Sequence, residues 1–281
     1  MESFFQAVLH QPFLQHALLG GVLASIACGV VGTYVVVRRI GYMAGGIAHA
    51  VLGGMGIAYF LGKSPLSGAI VAALFTAIII GWVSLHLHEQ QDTIISALWA
   101  VGMAVGIIFI TKSPGYNVDL MSFLFGNILM IPLQDLYFIL VLDLVIVFTV
   151  LLFYKQLLAV SFDEEFARLR GVPVDFFTLL LLCLVALTVV ILIQVVGLIL
   201  VIALLTLPAA IAGQFARSLG HIMLLAILLG IIFTSGGLAL SYGPDLPTGA
   251  TTVLLAGLGY LIASLLRHVV GRIRPSFFSW L

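Results

Sequence analysis

The segment "RRIGYMAGGIAHAVLGG", residues 38–54, sets one histidine, His49, in the middle of an apolar, glycine-rich run that follows two arginines. Read as a membrane helix starting near Arg39, a rise of about 1.5 Å per residue places His49 about 15 Å deep, near the midplane of a hydrocarbon core about 30 Å thick. Neutral imidazole is the commonest transition-metal ligand, so His49 is a candidate transient metal site on a translocation path. A hydrogen bond across a packed helix pair is the other reading. Helical spacing leaves both open: Gly41, Gly45 and Gly53 share the stripe of His49, and Gly46, Ala50 and Gly54 form the next one. Bare backbone of this kind admits a second helix closely or lines a narrow path.

A second constellation, "YKQLLAVSFDEEFARLRGVPVD" at 154–175, is charged rather than apolar. Ser161 followed by Asp163, Glu164 and Glu165 marks a helix start with acids in the first turn, and Gly171 before Pro173 marks a stop. The expected helix of about two turns is either a solvated connector or a coupling element for a soluble ATPase, carried by Asp163, Glu164, Glu165, Arg168 and Gly171. Asp143 lies well inside an apolar run, where a charge costs on the order of 3 kcal/mol, so it is expected to face protein or water. In "SYGPDLPTGA", 241–250, Asp245 between Pro244 and Pro247 suits a turn or an acidic lure for cations at an entrance. Gln194, Thr206, Thr234 and Ser235 suit interhelical glue or path lining alike.

Two motif-like stretches lead nowhere. "GIAYFLGKS", 56–64, has one residue too many between its glycines for a phosphate-binding loop, and in "HLHEQQD", 86–92, Asp92 stands where a zinc protease helix needs its second histidine.

The elements that must position these residues follow from composition. Of 281 residues 63% are hydrophobic and 8% charged, with a formal net charge of zero; no soluble domain hides so much apolar surface, and no basic face invites nucleic acid. Lipid offers backbone amides no partners, so the spans are helices or a closed barrel, and continuous rather than alternating apolar runs select helices. The expectation is an all-α, polytopic membrane bundle forming a single transmembrane domain over 1–281. Cys28 and Cys183 both lie in apolar runs and read as small hydrophobes. The start lacks the basic region of a cleavable signal peptide, so the first span is expected to remain in the mature protein.

Apolar runs fall at about 17–37, 43–62, 66–85, 93–112, 133–153, 176–193, 195–215, 219–241 and 248–267. That gives about nine spans, or eight if the break at Gln194 and Gly197 is only a kink. Arg38, Arg39, Lys155, Arg168, Arg170, Arg217, Arg267, Arg272 and Arg274 fall in one set of alternating loops, and only Lys63 and Lys112 in the other. The positive-inside rule makes the first set cytoplasmic, with the N-terminus outside and the C-terminus inside, which needs an odd number of crossings. "SPGYNVDLMSFLFGNILMIPLQD", 113–135, has an apolar core too short to cross and is expected to form a short outer re-entrant helix. No internal repeat is evident, which weakens an inverted-repeat carrier architecture.

Several stretches together resemble the permease subunits of ABC importers for zinc, manganese and iron. The resemblance runs through Arg38, Arg39, Tyr42, Ala48 and His49; "NVDLMSFLFGNIL", 117–129; "SFDEEFARLRGVPV", 161–174; "GLILVIALLTLPAAIAGQFARS", 197–218; and "DLPTGATTVLL", 245–255. It implies a homodimeric pore, a cytoplasmic ATP-binding subunit that contacts 161–174, and an extracytoplasmic metal-binding protein. No cofactor is expected in this chain beyond the transported ion, with ATP held by the partner and no enzymatic role here. Where many members carry an aspartate four residues before the histidine, this sequence has Gly45. Imidazole without a carboxylate suits zinc better than manganese, so zinc is the first expectation. The alternatives are a permease for manganese, iron chelates or cobalamin, and a proton-coupled metal carrier using Asp143 and His49.

Overall fold

The structure is a computed structural model that describes residues 4–87, 90–113, 126, 131–244 and 246–273. Twelve α-helices and no strand occur among the described residues. A short α1 (Phe4–His10) precedes α2 (Pro12–Val37), α3 (Gly41–Phe60), α4 (Pro65–His86), α5 (Gln91–Thr111) and α6 (Leu133–Leu152). Then come two short helices, α7 (Tyr154–Phe162) and α8 (Glu164–Leu169), and finally α9 (Val174–Val196), α10 (Val201–Phe215), α11 (Leu219–Tyr242) and α12 (Thr248–Ile273).

Eight of these helices are long and apolar enough to cross a membrane. The sequence left open whether the break near Gln194 and Gly197 separates two spans or kinks one, and the structure shows a full break. Gly197 takes φ +83, Leu198–Leu200 form one 3-10 turn, and the following α10 has 15 residues. At 1.5 Å per residue α10 is about 23 Å long, so the bundle holds eight long helices and one short one. Gly126, from the outer 113–135 stretch, lies against this break: a Cβ there would stand 2.5 Å from the Gly197 nitrogen. The remainder of that stretch lies almost wholly outside the described residues, as does the expected re-entrant helix.

Burial identifies the centre. In α2, α3 and α9, 72% of the most apolar window is buried within the chain, against 17% in α5 and 22% in α12. The central helices pack on several partners at once: α2 against α6, α9, α10 and α11, and α3 against α4, α5, α9 and α10. Threonine hydroxyls here are consumed locally, as a medium without water demands: Thr33 of α2 donates to the Gly29 carbonyl, Thr188 of α9 to Leu184 and Thr206 of α10 to Ile202, whereas the buried Tyr34 hydroxyl of α2 has no partner among the described residues. Thr234 donates to the Gly230 carbonyl and also approaches Ser25 of α2 at 3.4 Å, one of the few polar contacts between spans.

The glycine face of α3 proves to be a packing seam. A Cβ on Gly53 would stand 2.9 Å from the Gly102 carbonyl oxygen, and one on Gly56 2.5 Å from that of Gly106. Small residues on both helices let α3 and α5 meet backbone to backbone. That contact fixes where α5 can present its side chains to His49.

Candidate functional site

His49 sits in the third turn of α3, half-buried, with its Nδ1 sealed from solvent and without a hydrogen-bonding partner. The hydrogen-bonded packing role therefore finds no bond at that nitrogen. The imidazole instead lies on the indole of Trp99 from α5, centroids 4.1 Å apart and planes 9° from parallel. One turn back, the space above Gly45 is closed by the same indole and by Ile202 of α10; a Cβ there would meet Ile202 Cδ1 at 3.0 Å and Trp99 Cζ3 at 3.4 Å. The Tyr42 ring stands 6.4 Å from that of Trp99, and its hydroxyl contacts Ser96 Oγ.

No group of three or more His, Cys, Asp or Glu side chains able to hold a metal occurs among the described residues. Asp245 lies outside the described residues. Asp143 of α6 is buried, and neither carboxylate oxygen has a partner, so it does not join His49 in a site.

The charged loop contains more helix than the sequence suggested. Residues 154–162, read there as loop, form α7, and the next helix begins at Asp163 rather than Ser161. Ser161 donates to the Leu157 carbonyl inside α7, whereas Asp163 Oδ1 accepts from the Phe166 amide at 2.9 Å and caps α8. An N-cap needs extended backbone, and Asp163 has it at φ −152. The helix runs six residues, not two full turns. Gly171, φ +77, closes it in the left-handed conformation that glycine adopts without penalty.

Glu164 forms an ion pair with Arg38, which also donates to Thr178 Oγ1 of α9. Burial pulls the Arg38 guanidinium below its ordinary value, and Glu164 opposes that shift. Arg38 ends α2 immediately before Arg39, which takes φ +57 at the elbow into α3. One ion pair therefore ties α8 to the elbow that begins the His49 helix. A cavity of about 270 Å³, lined among others by Arg38, Arg39, Ser84 and Glu164, opens beside it. Arg168 pairs with Asp175 at the start of α9, and Glu165 is exposed.

Sequence reasoning weighed the charges here and missed three apolar groups: Phe162, Phe166 and Leu169 are 68%, 49% and 87% exposed. Their spacing of four and three residues was the available signal. It also missed Trp99, although a tryptophan well inside an apolar run is out of place, since the residue favours membrane interfaces.

The comparisons with known proteins establish the family. Residues 10–267 match the ABC 3 transport family, and the chain belongs to it. It is thus a multi-pass membrane permease subunit of an ABC metal importer, not an enzyme itself, with ATP hydrolysis on a separate partner chain. A membrane protein ascribed to a metal transport system in Chlamydia trachomatis is 44% identical over 274 residues, covering 95% of this chain and 94% of the relative. The manganese transport system membrane protein MntC of Halalkalibacterium halodurans is 36% identical, with coverages of 92% and 89%. Among solved structures, a chain of PsaBC from Streptococcus pneumoniae, in complex with Fab, superposes with a TM-score of 0.85 at 35% identity, covering 92% of this chain and 94% of that one.

Proposed function

We propose that this chain conducts a divalent transition-metal ion inward past His49, with zinc as the favoured cargo. The observation that carries the proposal is a ring nitrogen held about 12 Å along α3, sealed and unpartnered. A buried polar atom without a partner costs about 1–3 kcal/mol, a cost that an ion arriving at the ring removes. The nitrogen donor without a carboxylate beside it favours zinc over harder ions. Manganese is the second reading, supported by the relatives whose names specify it.

In this proposal two copies of the chain form the pore, and an extracytoplasmic metal-binding protein docks near 113–127 and 241–249. The cytoplasmic side is the one bearing Arg38 and 161–175, so the N-terminus is outside and the C-terminus inside. The partner ATPase receives Phe166 and Leu169 of α8, with Phe162 at the end of α7, in an apolar cleft, while Asp163, Glu164, Glu165, Arg168 and Gly171 shape and orient α8.

The test is ATP-driven uptake of radioactive zinc and manganese into proteoliposomes holding this chain and its ATPase, each metal competing with the other. His49→Ala is expected to abolish most uptake while the complex still assembles. Unchanged uptake in that variant would remove His49 from the path.

A further inference from the structure

We propose that Trp99 is a positioning residue for His49, its indole face fixing the imidazole and stabilising the ring when it carries the ion. The inference rests on the reading of His49 given above and adds a second residue to that site. Gly45 and His49 are one turn apart on one face of α3, and the indole spans both. Its ring lies nearly parallel to the imidazole, while its Cζ3 closes the space over Gly45. A Cβ at residue 45 would press on Ile202 Cδ1 at 3.0 Å and touch Trp99 Cζ3 at 3.4 Å, so a side chain longer than alanine there would compete with both for this space. The Tyr42 ring stands near the indole as well, 6.4 Å away, and the α3–α5 seam fixes the spacing of the two helices.

This geometry has a chemical consequence. A metal coordinates imidazole in the ring plane through a nitrogen lone pair, so an indole on the ring face leaves coordination free while restricting ring rotation. Coordination draws electron density from the imidazole and makes it partly cationic. The electron-rich face of indole then attracts it more strongly than it attracts the neutral ring. Trp99 thus supplies through its π face part of what a neighbouring carboxylate would supply through charge, without the hardness that would select manganese. Cation–π contacts of this kind amount to about a two- to thirtyfold change in affinity.

The experiment compares Trp99→Phe, which keeps a ring, with Trp99→Leu, which keeps bulk without one, in the reconstituted transporter with its ATPase. The expected result is an apparent KM for zinc raised roughly two- to thirtyfold in the leucine variant. The phenylalanine variant should stay within about threefold of the parent, and maximal rates should change less than KM in both. Equal KM values for all three proteins would overturn the role of Trp99. If His49→Ala lost uptake in the same series, the site itself would stand. If His49→Ala transported normally, the site would fall instead.

Should the leucine variant not accumulate, a second measurement decides. With Trp82→Phe and Trp280→Phe, Trp99 is the sole tryptophan of the three, and cobalt(II), standing in for zinc, should quench its emission saturably. That quenching should vanish in His49→Ala. Emission unaffected by cobalt, while cobalt is still transported, would refute the proposal.

Discussion

Breaking the ion pair between Glu164 and Arg38 should uncouple ATP hydrolysis from transport more than it destabilises the protein. The magnitude follows from burial: the Arg38 side chain is 11% exposed and that of Glu164 48%. Fully exposed pairs contribute about 0.2–1 kcal/mol, and stranding one partner of a buried pair costs about 3–5 kcal/mol. This pair lies between those limits, and Thr178 keeps one hydrogen bond to Arg38 when the carboxylate is gone. A cost of about 1–2 kcal/mol is therefore expected for Glu164→Gln, a factor of about 5–30 in an equilibrium.

The assay is a double-mutant cycle with Arg38→Met, reading metal-stimulated ATPase and uptake in proteoliposomes alongside thermal unfolding in detergent. Because α8 contacts the elbow through this pair, the ratio of metal ions moved to ATP hydrolysed should fall in either single variant. The double variant should be little worse than either. Single effects that add to within about 0.5 kcal/mol, or an unchanged transport ratio, would refute the view that the pair links α8 to the His49 helix.

Three further outcomes are expected. Gly56→Ala places a methyl 2.5 Å from the Gly106 carbonyl oxygen, a clash of backbone with backbone that should cost about 1–3 kcal/mol and lower the unfolding temperature; an unchanged melt would mean the seam is looser than described. Asp163→Ala removes the only side-chain cap of α8 and should cost about 0.5–2 kcal/mol, seen as lower ATPase stimulation with normal membrane levels, and Asp163→Asn should restore it. Asp143→Leu removes two buried oxygens that have no partners and should leave stability level or raised; loss of transport in a well-folded variant would give Asp143 a place in the mechanism.

Much of the fold was legible because lipid makes its demands simple. A run of apolar residues long enough to cross must be helical, and the observed boundaries of α2 to α6 lie within a few residues of the apolar runs. The harder boundary was Gly197, where only Gln194 interrupts an apolar stretch that continues on both sides. Only the backbone conformation, φ +83, separates break from kink. The charged loop misled in the opposite direction: "YKQLLAVSF" has few charges and folds as α7, while Ser161 looks like a cap but spends its hydroxyl on its own helix. Capping depends on backbone angle at one residue, which a list of good capping residues does not contain.

His49 stands out in the sequence as a candidate because it is polar where polarity is costly. Its environment does not, since the stacking partner comes from α5, fifty residues along the chain, and the wall from α10, farther still. The glycine pattern was legible as a stripe and ambiguous as to purpose, and the structure divides the labour by position. Gly53 and Gly56 face α5 backbone and set the helix spacing, while Gly45 faces Trp99 and Ile202 and sets the shape of the site. The same residue type thus meets backbone in one turn and side chains in another. The difference lies in what the neighbouring helix presents at that height, backbone at Gly53 and Gly56 and the Trp99 indole at Gly45.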